Sequence, residues 1–293
     1  MVRARQVFRG VDQVVAIVKF IWGSCLILVL LLCSGEAQAG QLAERLTQFP
    51  HWESKPPISI AEGDLLYPDW MEGTWKVTST LVAQVAPLAP ELVTPGFESN
   101  RRYLNQPVNF LVRFQAVNDS ISAMRDRVLR FLPSTPQGSF RGNSFVKPNT
   151  PAVVADRAFN GLNISKAYLG DRIIRSVKVD PNSPNRQITA LRNGHQLISV
   201  VTGRASETPS SDQFIATEVS TQVFRGTTQP YFNEVETTTA YQLRQLPNLA
   251  IEALQITAIY LSPQDADYFK AQGKPVALYR YQLEILPVES SPT

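Results

Sequence analysis

Apolar and polar residues alternate along most of the chain from residue 75 onward. One face of the stretch TWKVTSTLVAQV holds Trp75, Val77, Ser79, Leu81, Ala83 and Val85. The opposite face holds Lys76, Thr78, Thr80 and Gln84. A period of two predicts a strand with one buried face. Similar patterns predict further strands at 108–116, 127–132, 138–146, 171–179, 186–192, 196–203, 214–224, 234–243, 250–261 and 276–286.

Turn and helix signals complete this pattern. Asn193-Gly194 separates two predicted strands, and a two-residue Asn-Gly turn is typical of a β-hairpin. Between the last two strands, Ser262 and Pro263 can begin one short helix that Gly273 ends. Closely spaced strands with almost no long helix argue against a βαβ layout. We therefore predict an all-β fold, an enlarged antiparallel up-and-down barrel; a sandwich remains the alternative.

The first 39 residues differ from the rest of the chain. A basic start is followed by an apolar run at 20–33 and by the small-residue site Ala37-Gln38-Ala39. This three-part pattern predicts a secretory signal peptide and a mature chain that begins near Gly40. An uncleaved membrane anchor is the alternative, because the apolar stretch counted from Val14 is about 20 residues long. Lipidation at Cys33 is disfavoured by the bulky Leu32 before it.

Composition after this segment excludes several functions. The whole chain has a formal net charge of +3, but residues 40–293 hold 24 basic and 23 acidic side chains. Those charges are scattered, so no nucleic-acid partner is predicted. Both cysteines precede Gly40, which excludes disulfides and thiolate chemistry from the mature chain. We divide it into an irregular lead-in at 40–67, a single barrel domain at 68–287 and a flexible tail at 288–293.

Few residues indicate catalytic chemistry. His51 and His195 lack the spacing of a metal-binding pair, and no nucleotide-binding or nucleophile motif occurs. No catalytic residue, metal or cofactor is therefore predicted, although a pair of carboxylates would leave no motif. Asp156 and Arg157 stand out beside apolar neighbours. They could pair to orient a ligand carboxylate, or they could form a structural ion pair that locks a loop.

The polarity of several strands suggests a ligand cavity. In FIATEVSTQVF, Thr217 and Thr221 share a face with apolar residues, and Tyr279 and Tyr281 lie on the apolar face of the last strand. A barrel lined by such residues would suit an amphipathic lipid, isoprenoid or pigment. The alternative is that threonine is simply a good strand former.

Two resemblances extend this interpretation. Gly73-Thr74-Trp75 resembles the barrel start of lipocalins and the wider calycin superfamily, in which the tryptophan plugs one barrel end beneath an arginine near the last strand. Arg280 matches that arginine by position, but alternation places it on the other face. The stretches EGDLLYPDWMEGTWKVTSTL and DRAFNGLNISKAYLG resemble an uncharacterised family of exported proteins from cyanobacteria and plant plastids. This resemblance implies the periplasm or the thylakoid lumen and no established activity.

Three functional hypotheses follow. The leading one is a non-enzymatic exported barrel that binds or chaperones a hydrophobic or amphipathic small molecule in support of photosynthetic membranes. The second is an interaction or assembly protein whose filled barrel docks on a membrane complex. The third is a small enzyme that uses a carboxylate at the barrel mouth, such as Asp156.

Overall fold

The computed structural model describes residues 40–117, 151–226, 230–245 and 250–288, which form one antiparallel sheet with four short helices. The strands are β1 Ser59–Ile60, β2 Leu66–Tyr67, β3 Gly73–Val85, β4 Pro107–Val117, β5 Ala152–Ala155, β6 Ile174–Asp180, β7 Ser183–Leu191, β8 Gln196–Ser210, β9 Gln213–Arg225, β10 Tyr231–Arg244, β11 Ala250–Leu261 and β12 Ala277–Pro287. The helices are α1 Gln41–Thr47, α2 Phe97–Asn100, α3 Arg157–Leu169 and α4 Tyr268–Ala271. The strands predicted at 127–132 and 138–146 lie outside the described residues.

The strands follow the order of an up-and-down barrel. The order across the sheet is β2-β5-β4-β3-β12-β11-β10-β9-β8-β7-β6, and β1 pairs with β8. The first long strand, β3, therefore pairs with the last, β12, as it would in a closed barrel. The two end strands of this order are β2 and β6, and within the described residues no ladder joins them, so the sheet is a curled half-barrel. The predicted all-β, antiparallel fold is confirmed, and the opening between β2 and β6 is its main departure from a closed barrel.

Helix α3 lies at this opening. It connects β5 to β6 in the chain and contacts β4, β6 and β7, which belong to the two ends of the sheet. Helix α3, which has 13 residues, was not predicted from the sequence, although the described helices are few and short as expected. None of them is fully buried. A helix that is only half-buried on every side lacks the strong apolar stripe from which helices are recognised in a sequence.

Tyr67 shows which face of the sheet is concave. Its ring lies 4.7 Å from that of Phe114 in β4, 5.5 Å from that of Phe214 in β9 and 6.5 Å from that of Tyr241 in β10. β9 is the fifth strand along the sheet from β4. One ring can contact both strands only if the sheet curls around it. We call the face that bears these residues the concave face and the opposite one the convex face.

One end of the concave face is a filled apolar core. Trp75 is 2% exposed, and its indole nitrogen donates to the Met71 carbonyl at 2.8 Å. Its buried neighbours are Val77, Val112, Phe114, Val153, Leu243, Ile251, Ala253, Leu283 and Ile285. We call this cluster the closed end. Trp75 therefore occupies the interior of the sheet at the start of β3, where the predicted plug would lie.

The lead-in covers the convex face. Leu42 of α1 and Trp52 are buried, and Trp52 packs against Ile256, Tyr260 and other residues of β11 and β12. The same segment supplies β1, which pairs with β8, and β2, which pairs with β5. Residues 40–67 are thus part of the packed structure, since α1 and both strands contact the sheet.

Two local predictions need correction. The Leu191 amide donates to the His195 carbonyl at 2.8 Å, so Arg192, Asn193 and Gly194 form a three-residue loop instead of a two-residue turn. Gly194 alone has a positive φ, of 85°, which is typical of this longer hairpin connection. The predicted helix after Ser262 is also shorter than expected, since α4 spans only Tyr268–Ala271.

Candidate functional site

The middle of the concave face carries a polar patch. It consists of Thr237 and Thr239 of β10, Gln255 and Thr257 of β11, and Tyr279 and Tyr281 of β12. Cross-strand pairing puts these side chains together, because Thr237 lies opposite Thr257, Thr257 opposite Tyr279, and Gln255 opposite both Thr239 and Tyr281.

Exposure varies within this patch, since Thr239 and Tyr279 are buried and the other four side chains are not. Thr237, Gln255, Thr257 and Tyr281 are half-buried. Along β11, Ile251 is 0% exposed on the closed-end side, and Leu261 is 8% exposed on the other side. The concave face therefore has a partly accessible middle between two buried ends, which is the form of a small concavity.

Hydrogen bonding within the patch is sparse. Thr239 Oγ1 donates to Gln255 Oε1 at 3.4 Å, and Gln255 Nε2 donates to Thr257 Oγ1 at 3.4 Å. Both distances are long for a protein hydrogen bond. Within the described part of the chain, the hydroxyls of Thr237 and Tyr281 have no hydrogen-bond partner. The patch therefore holds donors and acceptors that a bound molecule could use.

Helix α3 supplies a second wall to this concavity. Tyr168, near its end, donates to Ser79 Oγ of β3 at 3.3 Å. Burial raises the pKa of Tyr281, and the neighbouring Tyr168 and Tyr279 raise it further. Burial likewise raises the pKa of Tyr168. These phenols are neutral hydroxyls at physiological pH, and each can donate a hydrogen bond.

Asp156 fixes the start of α3. Its Oδ1 accepts from the Phe159 amide at 3.0 Å, and its Oδ2 accepts from Arg113 Nη2 at 2.6 Å. Burial alone would raise the pKa of Asp156, but the hydrogen bonds from Phe159 and Arg113 outweigh it and hold the pKa below its usual value. Asp156 is thus an N-cap that remains ionised.

Arg157 turns away from Asp156 toward the sheet. Its guanidinium donates to both oxygens of Glu218 in β9, at 3.2 and 2.7 Å, and lies 3.6 Å from Asp64. Arg204 of β8 contacts the same carboxylate at 2.9 Å. The predicted Asp156–Arg157 pair is therefore wrong, because each side chain binds a different partner. The ion-pair alternative placed these two residues in a loop, but Asp156 is the N-cap of α3 and Arg157 is its first residue.

Thr217 and Thr221 lie on the convex face, so the prediction that they line the barrel interior is wrong. Thr217 is 0% exposed, and its hydroxyl lies 2.7 Å from Thr238 Oγ1, to which it can donate. Thr221 lies opposite Glu234, whose carboxylate pairs with Lys55 of the lead-in. Alternation assigned these residues to one face correctly, but it could not say that the lead-in covers that face.

The convex face also contains a buried ion pair that the sequence analysis missed. Arg45 of α1 donates through Nε and Nη2 to the two oxygens of Glu236, at 2.7 and 2.8 Å. Tyr260 and Thr238 each donate to Glu236 at 2.8 Å. Glu236 is 0% exposed and Arg45 is 7% exposed. We call Arg45, Thr217, Glu236, Thr238 and Tyr260 the convex network.

The lipocalin-like contact between Trp75 and an arginine is absent from the described residues. Arg280 lies on the convex face, where its guanidinium sits 5.7 Å from the Phe49 ring. Gly73 has a φ of 125°, which lets the chain turn from the short 3-10 helix at Asp69–Met71 into β3. Trp75 therefore resembles a barrel plug by position only.

An open groove of about 710 Å³ lies beside the end of α3. Its lining includes Arg102, Tyr103, Val108, Tyr168, Leu169 and Ile173. The ring of Tyr103 packs edge-on against that of Tyr168 at 5.5 Å. Because Tyr168 also reaches Ser79, it connects this groove to the concave face.

The described residues contain no group of three or more His, Cys, Asp or Glu side chains that could hold a metal ion. Among them there is also no helix that combines the length and the apolar character needed to cross a membrane.

Comparison with known proteins places the chain in a family. The model of a domain of unknown function, DUF6816, matches residues 59–131 and 135–289, which is most of the chain. The chain belongs to this family. The DUF6816 match covers nearly all of the sheet, including the polar patch and α3, and every residue of the convex network except Arg45. Neither the curated proteins nor the solved structures gave a match. The family carries no assigned activity, so function must be argued from the geometry.

Proposed function

We propose that this DUF6816 protein binds an uncharged amphipathic small molecule in the polar patch of its concave face. The observation that carries the proposal is the half-buried middle of that face, where Thr237 and Tyr281 offer hydroxyls without protein partners. Neither hydroxyl is among the fully buried polar atoms that lack a partner, so each is open to water or to a bound molecule. A ligand that supplies these partners accounts for their placement.

The surroundings of the patch favour an elongated molecule with a polar head. Leu81 of β3 and Leu283 of β12 are buried next to the patch on the concave face. An alkyl or prenyl chain can pack on such residues, and each buried methylene contributes about 0.8 kcal/mol. Hydroxyl and amide groups then determine the position of the head.

The charge of the patch favours a neutral head group. All six patch side chains are uncharged, and their tyrosines remain protonated. Two cations on the concave face, Arg157 and Arg204, already pair with Glu218. A carboxylate would leave its charge uncompensated in this site. Hydroxyl, carbonyl, ester or sugar heads fit, as in neutral lipids, isoprenoids or carbonyl-bearing pigments.

Ligand extraction and titration test the proposal. Purified protein should release an amphiphile into organic solvent, which mass spectrometry would identify, and fluorescent fatty alcohol should bind in titrations. Thr257→Phe would fill the concavity and should weaken binding at least tenfold. Thr78→Phe is the matched control, because Thr78 lies on the convex side of β3. Equal binding by both variants, or no binding across neutral amphiphiles, would refute the proposal.

The second candidate is an interaction protein that docks on a membrane complex. It is favoured by the apolar side chains beside the groove at the end of α3, since Leu169 is 47% exposed and Ile173 is 45% exposed. Exposed apolar patches often mark interaction surfaces. Leu169→Asp should abolish docking but leave fatty alcohol binding unchanged, whereas Thr257→Phe should do the reverse. The two candidates are therefore separable in one pair of variants.

The cellular setting that we propose is outside the cytoplasm, in a periplasm or a thylakoid lumen. The support is the signal-peptide pattern before Gly40 and the absence of cysteine after it. The enzyme hypothesis receives no support from Asp156. A carboxylate whose pKa is held low by a helix cap and an arginine is a poor general acid at neutral pH.

A further inference from the structure

We infer that the chain is processed between Ala39 and Gly40, and that the new α-ammonium group of Gly40 pairs with the carboxylate of Glu207. The inference concerns a modification site on the convex face. It is independent of the ligand proposed for the concave face. The support comes from the way that α1 and β8 meet.

The start of α1 is capped from another strand. Gly40 is the residue before α1, and it provides no side-chain cap. Glu207 of β8 does so instead, since its carboxylate oxygens accept from the amides of Leu42 at 2.9 Å and Ala43 at 3.4 Å. The convex network keeps α1 in place, because Arg45 binds the fully buried Glu236. The position of residue 40 against β8 is thus set by packing.

The carboxylate of Glu207 lies against residue 40 itself. A Cβ atom on Gly40 would overlap this carboxylate, with Oε1 at 2.7 Å. The backbone of Gly40 has φ −59° and ψ 161°, which any residue can adopt. Glycine at this position lets the Glu207 carboxylate approach residue 40 closely, and a Cβ here would displace the end of that flexible side chain. Because N and Cβ lie about 2.5 Å apart on one Cα, the nitrogen of residue 40 is within about 5 Å of Oε1.

Glu207 has no cationic side chain to balance it. Among the described residues, no lysine, arginine or histidine lies within ion-pair distance of its carboxylate, although many other carboxylates have such a partner. The groups that face this carboxylate are the amides at the start of α1 and the backbone nitrogen of residue 40. Cleavage after Ala39 would turn an uncharged peptide nitrogen into a cation at this position.

The sequence places a cleavage signal at the same bond. Ala37-Gln38-Ala39 has the small residues that signal peptidases require, and Gly40 follows directly. Hydrolysis of the Ala39–Gly40 peptide bond by water leaves a carboxylate on Ala39 and an ammonium on Gly40. The bond that the sequence predicts to be cut and the residue that contacts Glu207 are therefore adjacent. Processing would stabilise the docking of α1 on the convex face.

The first test is the N-terminus of the secreted protein. The full chain, with a purification tag after Thr293, is expressed in a bacterial host and recovered from its periplasm, and its intact mass is measured. The inference predicts a chain that begins at Gly40. A chain that retains residues 1–39, or that begins at another residue, would overturn it.

The second test combines acetylation of the α-amino group of the processed protein with the substitution Glu207→Gln. Acetylation near neutral pH is selective for the α-amino group, because lysine side chains are mostly protonated there. It should lower the Tm of the native protein by about 1–3 °C, as expected for loss of one half-buried ion pair in a domain of this size. The same treatment should leave the Tm of Glu207→Gln unchanged. An equal shift in both proteins would refute the pairing.

Two further variants are controls for the acetylation experiment. Glu252→Gln removes a carboxylate that pairs with Arg244 on the surface, so acetylation should still lower its Tm as in the native protein. Gly40→Ala keeps a small residue after the cleavage site but displaces Glu207 by steric overlap. It should therefore have a Tm that acetylation no longer changes. A Gly40→Ala protein that responds like the native one would contradict the inference.

Discussion

The two faces of β10 carry similar polar residues that have different roles. Glu236 and Thr238 point to the convex face, are 0% exposed, and have hydrogen-bond partners at 2.7–2.8 Å. Thr237 lies between them on the concave face, is half-buried, and has no partner within the described chain. On the convex face, Glu236 and Thr238 complete the packing of α1. On the concave face, the Thr237 hydroxyl stays available to a bound molecule.

Polar side chains of the same sheet thus stabilise the fold on the convex face and, in our proposal, bind a ligand on the concave face. The convex network is closed, since Arg45, Tyr260 and Thr238 together satisfy the Glu236 carboxylate. The polar patch is open, since its few internal hydrogen bonds are long. A buried network that is fully satisfied gives stability and a defined geometry. A half-buried patch with free hydroxyls gives binding capacity. The predictions below change one face at a time.

Loss of the Glu236 charge should have the largest effect. Glu236→Gln leaves the Arg45 guanidinium buried without a counter-charge, which should lower the free energy of unfolding by about 3–5 kcal/mol. Chemical denaturation at neutral pH measures this change. The double variant Arg45→Met/Glu236→Leu should recover much of the loss, because it buries no charge. A destabilisation below about 1 kcal/mol in the single variant would show that the network contributes little.

Neighbouring threonines on β10 give the most direct contrast between the faces. Thr238→Val removes a donor to Glu236 and leaves Thr217 without its partner, so it should destabilise the fold by about 1–3 kcal/mol. Thr237→Val removes a hydroxyl with no protein partner and should change stability by less than about 0.5 kcal/mol. Thermal unfolding of both variants measures the contrast, and equal losses would remove the distinction between the faces.

Asp156 tests how α3 is held over the opening of the sheet. Asp156→Ala removes the N-cap and should destabilise by about 1 kcal/mol. Asp156→Asn preserves the cap and loses only the pair with the half-exposed Arg113, so the loss should be smaller. Unfolding followed by circular dichroism gives both values. Similar losses in the two variants would mean that the cap is unimportant.

The difference in unfolding free energy between the native protein and Asp156→Asn should depend on pH, because the pKa of Asp156 is lowered in the folded state. A carboxylate with a lower pKa in the folded than in the unfolded state stabilises the protein above its unfolded pKa, near 3.9. The advantage of the native protein over Asp156→Asn should therefore be constant at neutral pH and disappear as the pH falls below about 4. An advantage that increases in acid would contradict this assignment.

Much of the sheet could be predicted from the sequence. The period of two identified most of the long strands because one face of each is buried, and the bounds of β11 agree with the predicted 250–261. Alternation shows which residues share a face. It does not show which segment of the chain covers each face of β10 and β11.

The parts that escaped prediction depend on distant contacts. Arg45 and Glu236 are 191 residues apart, and nothing near either residue indicates the other. Helix α3 was missed because its residues are half-buried on all sides. A signal for its start was present, since Asp156 precedes a stretch without proline and accepts from the amide three residues later. Asp156 and Arg157 were chosen as a pair because they are adjacent, and adjacent residues at a helix start point in different directions.

Two tyrosines on opposite faces offer the most direct test of the central claim, that the concave face binds a ligand and the convex face stabilises the fold. Tyr260→Phe removes a hydroxyl bound to Glu236 and Arg45, whereas Tyr281→Phe removes a free one. Isothermal titration with a neutral fatty alcohol should show binding at least fivefold weaker for Tyr281→Phe and unchanged for Tyr260→Phe. Unchanged binding in Tyr281→Phe, or weaker binding in Tyr260→Phe alone, would contradict the claim.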